Sequence, residues 1–345
     1  MSDNDNRPSL DDPTQWLPYR YIPSNVAAII FVVAFAATTL LHTFQLLRKR
    51  TWYFIPLVIG GIFETIGFIG RIISRNDIWA LGPFIMQTLL ILVAPALFAA
   101  SIYIILGRII LLVDGERYSL VRKKWLTKFF VAGDVLSFFM QGAGGGIQSG
   151  GSLSAMHTGE KIIVGGLFVQ LFFFVFFIIV AGVFHYRLVN DKPLTKQFPP
   201  TKRGHKSLNS TSSTSLVHDD ALPRASVNLS ELPWKRHLYN LYFTSALIVI
   251  RSLFRVIEYL QGNSGYLLSH EVFLYVFDAL LMLAVMVMFN WIHPSEVTET
   301  YQKRQVDTRS TELQQAHDGG ESGSGQREKK RKFGAWTPSR PDAGA

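Results

Sequence analysis

Long apolar runs separated by polar connections occupy the chain up to Pro294. A helix rises 1.5 Å per residue, so it needs about twenty mostly apolar residues to cross the roughly 30 Å hydrocarbon core of a membrane. Seven runs meet that length, and we predict membrane-spanning helices at 24–47, 51–74, 83–113, 126–147, 161–188, 236–261 and 271–293. The pattern predicts an all-α polytopic membrane protein, a bundle of seven transmembrane helices.

The distribution of basic residues predicts the orientation of this bundle. Cytoplasmic loops carry an excess of lysine and arginine. The N-terminal side of the membrane holds only Arg7, Arg20, Arg75 and, at the first position of the fifth predicted helix, Lys161, whereas the opposite connections and the C-terminal tail hold most of the 34 basic residues. We therefore expect the N-terminus outside the cell and the C-terminus in the cytosol.

The composition shifts mark three regions. We expect an extracellular N-terminal segment over 1–23, a transmembrane domain over 24–296 and a disordered, basic cytosolic tail over 297–345. The connection 189–234 is polar and rich in serine, which is typical of a disordered loop. Its sequons at Asn209 and Asn228 are then cytosolic and should carry no glycan. The sequence identifies no cytosolic partner for the loop or the tail.

The overall composition excludes several classes of protein. With 48% hydrophobic and 17% charged residues, the chain is neither a disordered protein nor a soluble globule. The net charge of +9 lies in loops and tail, so it does not indicate nucleic-acid binding. No cysteine is present, and His42, His185 and His293 lack metal-ligand spacing. We predict no catalytic residue, no metal and no cofactor, and we do not expect an enzyme.

Ionisable residues inside the predicted helices are the candidate site. A lone charge at mid-membrane costs about 2.5 to 3.5 kcal/mol, so such residues face a partner, a cavity or a ligand. Arg251, Arg255 and Glu258 are spaced by four and three residues and share one helical face. The whole candidate set, a polar network or substrate-binding site, is Glu64, Arg71, Gln87, Asp134, Gln141, Gln170, Arg251, Arg255, Glu258, Glu271 and Asp278.

Two interpretations of this set stay open at the level of sequence. The residues either form interhelical salt bridges that fix the packing, or line a cavity that binds the polar head of an amphiphile or relays protons. Glu64 and Asp134 are the best candidates for protonation, because basic residues are distant from them in sequence. The glycine run over 141–151 likewise fits close helix packing, a helix end or a hinge.

Several strings resemble one fungal family. They are FETIGFIGR (63–71), Gln87 with APALFAASIYIILGRII (94–110), FVAGDVLSFFMQGAGGG (130–146), GGLFVQLFFFVFF (165–177), RSLFRVIEYLQGNSGYLLSHEVFLYVFDALLM (251–282) and FNWIHP (289–294). They are similar to the lipid-translocating exporters, which are seven-span proteins related to aminocholesterol-resistance and sphingoid-base-resistance proteins. By motif match, the polar signature of this family falls on the same candidate set. The resemblance implies a multi-pass protein, most simply of the plasma membrane, that handles membrane lipids or amphiphilic small molecules.

The leading hypothesis is a translocator or exporter of amphiphilic lipids, such as sphingoid long-chain bases or toxic sterol-like amphiphiles. The ammonium of a cationic amphiphile would pair with Glu64, Asp278 or Asp134. Uphill transport would need a proton gradient or a partner, and passive flipping is equally allowed. The alternative is a seven-helix receptor or stress sensor without transport activity, although the Asp-Arg-Tyr and Asn-Pro-x-x-Tyr motifs of signalling receptors are missing from the expected helices.

Overall fold

The computed structural model describes residues 17–148, 153–193, 232–262, 265–311 and 314. Six long helices come first in this part of the chain: α1 (Asn25–Lys49), α2 (Ile55–Ser74), α3 (Leu81–Leu112), α4 (Lys123–Gln148), α5 (Leu153–Val189) and α6 (Trp234–Leu260). The seventh, α7, begins at Glu271–Leu274, passes through a π-helical turn at Tyr275–Ala279 and continues as Leu280–Trp291. Short 3₁₀ turns, Trp52–Phe54 and Gly115–Tyr118, precede α2 and follow α3.

The described residues confirm an all-α polytopic membrane protein, because they contain helices and no strand. Within the described residues, six helical stretches are long and apolar enough to cross a membrane: α1, α2 with its preceding turn, α3, α5, α6 and the stretch that starts with α7. Helix α4 has the length but is not among these six. The seven-span count and the orientation therefore remain predictions.

Apolar side chains divide between the bundle interior and its outer surface. Phe35 of α1 and Phe68 of α2 are buried and stack with their ring centroids 5.7 Å apart. Phe31 stacks on Tyr275 of α7 with a centroid distance of 5.2 Å. By contrast, Val26 and Leu40 of α1 are about 70% exposed. A helix that contacts lipid exposes aliphatic side chains to it. Helix α1 therefore packs one face against the bundle and turns the other towards the membrane.

Residues 141–148 of the glycine run are helical, and residues 149–151 lie outside the described part of the chain. Helix α4 continues through Gly144 to Gln148, and α5 starts at Leu153, earlier than the predicted Lys161. A Cβ atom on Gly144 would lie 2.7 Å from the Gly159 carbonyl oxygen of α5, and one on Gly159 would lie 2.5 Å from the Gly144 oxygen. Glycine at both positions therefore allows the backbones of α4 and α5 to approach closely.

The tail differs from its prediction where the structure describes it. Residues 295–311 are helical, whereas the sequence predicted disorder from 297 onward. This stretch is mostly polar and charged. Such a composition suits a solvated helix as well as a disordered tail, so composition alone does not predict the helix. The sequons at Asn209 and Asn228, most of the predicted disordered loop, and the REKKRK cluster near the C-terminus lie outside the described residues.

Candidate functional site

Most of the candidate polar residues lie towards one end of the bundle. Helices α2, α4 and α6 finish at this end, while α3, α5 and α7 start there. Residues 17–24, which precede α1, pack onto the same end, with Leu17 and Tyr19 buried. By the predicted orientation this is the exoplasmic end of the protein.

Arg71 of α2 is the centre of the outermost cluster. Its side chain is 0% exposed, and its Nη2 atom lies 2.8 Å from Glu271 Oε1 of α7. The guanidinium also donates to the hydroxyls of Tyr21 (2.7 Å) and Tyr275 (3.1 Å). The Glu271 carboxylate accepts further bonds from the Ser24 backbone N–H at 2.9 and 3.0 Å. A buried ion pair needs such additional hydrogen bonds to offset its desolvation.

The segment 17–24 supplies residues that sequence reasoning missed. Tyr19 donates to Gln87 Oε1 at 2.7 Å, and Arg75 donates to the Pro23 carbonyl oxygen at 2.8 Å. Burial raises the pKa of the Tyr21 hydroxyl above its ordinary value, even beside the Arg71 guanidinium, so this group stays neutral. The only available signal was the alternation of tyrosines in YRYIP next to the first predicted helix.

The second cluster joins α6 to α7. The Asp278 carboxylate pairs with both Arg251 and Arg255, and Arg255 Nη1 lies 2.8 Å from Glu258 Oε2. Arg251 Nη2 also donates to the Ile91 carbonyl oxygen of α3 at 2.9 Å. The structure thus brings together the three residues that share one face of α6 and provides their partner from another helix.

Glu64 lies deeper in the bundle, beside the second cluster. Its side chain is 0% exposed, and neither carboxylate oxygen has a hydrogen-bond partner among the described residues. The charged groups that act on it are Asp278, Arg251 and Arg255. The guanidinium groups of Arg251 and Arg255 form ion pairs with the carboxylates of Asp278 and Glu258. Glu64 is therefore a third carboxyl group beside two cations.

Asp134, Gln141 and Gln170 lie on α4 and α5 and make two separate polar contacts. Tyr103 of α3 donates to Asp134 Oδ2 at 3.0 Å, while Asp134 Oδ1 has no hydrogen-bond partner among the described residues. Gln141 Nε2 lies 3.3 Å from Gln170 Oε1. These residues do not join the arginine clusters, so the candidate set divides into an arginine-containing part and a neutral or acidic part.

Two neighbouring cavities lie at the same end of the bundle. The polar cavity, of about 90 Å³, is bordered by Arg71, Gln87, Gln148, Glu160, Arg255, Glu258 and His270 together with Tyr19 and Tyr21. The apolar cavity, of about 210 Å³, is bordered mainly by Ile85, Leu89, Leu92, Ile163, Gly142, Gly145 and Gly146. Phe84, Thr88, Leu92, Gln148 and Tyr259 belong to both walls.

The predicted site residues contribute unequally to these cavities. The polar cavity is bordered by Arg71, Gln87, Arg255 and Glu258, and the apolar cavity by Gln141. The remaining members of the candidate set border neither cavity, namely Glu64, Asp134, Gln170, Arg251, Glu271 and Asp278. Glu271 and Asp278 instead hold the arginines of the cavity wall in place.

The fold and the cavities define a multi-pass helical membrane protein with ion pairs buried inside its bundle. A family model described as RTA1 like protein matches residues 57–301. The chain belongs to this RTA1-like family, which confirms the resemblance seen in the sequence.

Three relatives from Saccharomyces cerevisiae indicate what this family contains. The chain is 35% identical to protoporphyrin uptake protein 1 over 79% of its own length and 90% of the relative. It is 30% identical to protein RTM1, over 80% and 91% of the two chains. It is 28% identical to the sphingoid long-chain base transporter RSB1, over 79% and 72%. No solved structure matches the chain.

Proposed function

We propose that this protein translocates amphiphilic lipids, with the polar head of the lipid in the polar cavity and its chain in the apolar cavity. The observation that carries this proposal is the shared wall of the two cavities, formed by Phe84, Thr88, Leu92, Gln148 and Tyr259. An amphiphile needs a charged or hydrogen-bonding site next to an apolar one, and these cavities stand in that relation. The names of the relatives as a transporter and an uptake protein support the same role.

The polar cavity suits a head with both donors and acceptors. Arg71 and Arg255 provide donors, and Glu258 and Glu160 provide carboxylates. An ammonium with neighbouring hydroxyls, as in a sphingoid base, would find acceptors in these two carboxylates. We therefore place the ammonium near Glu258 and Glu160, because these two carboxylates border the polar cavity and Asp278 does not.

The proposal includes no chemical reaction and no cofactor. Two of the three relatives are named for transport or uptake, which supports a role other than that of an enzyme. The plasma membrane is the compartment that we propose, since resistance to external amphiphiles requires action at the cell boundary.

Reconstituted vesicles test this function. Purified protein should speed the movement of a fluorescent sphingoid base between leaflets, measured by back-extraction of the outer-leaflet lipid with fatty-acid-free albumin. Gly145→Phe should slow this movement several-fold, because a Cβ at Gly145 meets open space and the ring would project into the apolar cavity. Gly182→Phe in α5 is the matched control, since its added Cβ also meets open space but the residue borders neither cavity.

The vesicle assay also separates transport from sensing. Protein-containing vesicles that move the lipid no faster than protein-free vesicles would contradict translocation and favour the receptor or stress sensor. Equal slowing by Gly145→Phe and Gly182→Phe would contradict the assignment of the apolar cavity to the lipid chain.

A further inference from the structure

The buried charges of the second cluster do not balance when every acid is ionised. Arg251 and Arg255 supply two positive charges, and Asp278 and Glu258 supply two negative charges through direct pairs. Glu64 is then a third carboxyl group without a matching cation. Helices α1 and α3, which pack on α2, add no charged group to those that act on Glu64 in the described part of the chain.

An unmatched carboxylate is unfavourable at this position. Both oxygens of Glu64 are buried and accept no hydrogen bond from the described residues. An isolated ionised carboxylate in an apolar interior costs far more than a neutral acid, so the group takes up a proton when no cation is available. A proton on Glu64 would remove this cost.

We propose that Glu64 is a proton-binding site that couples lipid movement to a proton gradient. This inference rests on the proposed function and adds its source of energy. Loss of the proton would create a carboxylate beside Arg251 and Arg255, where it would compete with Asp278 and Glu258 for the guanidinium groups. Arg255 and Glu258 border the polar cavity, so the protonation of Glu64 is linked to the geometry of the head site.

The linkage has a defined direction. With Glu64 protonated, Arg255 stays with Asp278 and Glu258, as the structure shows. With Glu64 ionised, part of the positive charge moves towards α2, and Glu258 becomes a freer acceptor for a cationic head. Binding of an ammonium at Glu258 therefore favours release of the proton from Glu64, which is the exchange that an antiporter needs.

Infrared spectroscopy tests the proton site directly. The wild-type protein at neutral pH should show the carbonyl stretch of a protonated carboxyl group, and Glu64→Gln should lose the component of that band that comes from Glu64, whereas Asp134→Asn should keep this component. Asp134→Asn is the matched control, because Asp134 is also a buried acid with one unbonded oxygen. Glu64→Asp keeps an acid at this position and should restore a shifted band. An unchanged band in Glu64→Gln would overturn the proposal.

Vesicles with an imposed proton gradient test the coupling. The gradient should accelerate translocation by the wild type and by Asp134→Asn, whereas Glu64→Gln should move lipid at the same rate with and without it. Loss of the gradient effect in Asp134→Asn alone would overturn the assignment to Glu64. If no sample translocates lipid under any condition, the proposed function and the coupling fail together, while the infrared band still decides whether Glu64 binds a proton.

Discussion

At the scale of single residues, two buried arginines, Arg71 and Arg255, each bond to more than one carboxylate or hydroxyl. Arg71 contacts Glu271, Tyr21 and Tyr275, and Arg255 contacts Asp278 and Glu258. A planar guanidinium with five N–H donors suits such shared contacts better than an ammonium does. Conversion of these arginines to lysine would therefore not be conservative.

Removal of one member of the second cluster should destabilise the protein strongly. Arg255→Ala leaves the buried Glu258 without its guanidinium partner, and breaking a buried pair in this way costs about 3 to 5 kcal/mol. Arg122→Ala, at an exposed loop position, should change the stability by less than about 0.5 kcal/mol. Thermal unfolding in detergent, followed by circular dichroism, measures both. Similar midpoints for the two variants would contradict a tightly paired cluster.

At the scale of helices, the close pair α4 and α5 depends on small residues at selected positions. The glycines of this run have two different structural roles within α4. Gly144 contacts the backbone of α5, whereas Gly142 and Gly145 border the apolar cavity. Composition alone could not separate these roles, because neighbouring positions on a helix point in different directions.

The two roles predict opposite effects of the same substitution. Gly144→Ala should lower stability by about 1 to 3 kcal/mol, because its Cβ would lie 2.7 Å from the Gly159 carbonyl oxygen, which is backbone and cannot rotate away. Gly142→Ala meets no atom within 4 Å and should leave stability unchanged or raise it by up to about 1 kcal/mol. Unfolding midpoints in detergent compare them, and a destabilised Gly142→Ala would count against this division.

At the scale of the whole molecule, the number of membrane crossings depends on α4. This helix contains Lys128, Asp134 and several glycines, and it is not among the six helical stretches of the described residues that are apolar enough to cross a membrane. Its buried Asp134 is bonded by Tyr103 of α3, so part of its polarity faces the bundle rather than lipid. A helix of this kind is able to span a membrane when its polar face is covered by protein.

Single-cysteine variants test which helices cross the membrane, because the sequence contains no other cysteine that could react. We expect Asn76→Cys and His157→Cys to react with a membrane-impermeant maleimide in intact cells, and Leu120→Cys to react only after permeabilisation. All three positions are exposed. Reaction of Leu120→Cys in intact cells with protection of the other two would reverse the orientation. Protection of His157→Cys together with Leu120→Cys would show that α4 does not cross.

The sequence by itself determined the helical membrane class, the family and the residues that share a helix face, such as Arg251, Arg255 and Glu258. These properties follow from apolar length and from helical periodicity, which are local in the chain. Tertiary structure decided which partner each buried charge meets. It placed Asp278 between two arginines, brought Tyr21 onto Arg71, and left Glu64 without a hydrogen bond among the described residues. Those contacts join residues that are distant along the chain, so only the packing of the helices can specify them.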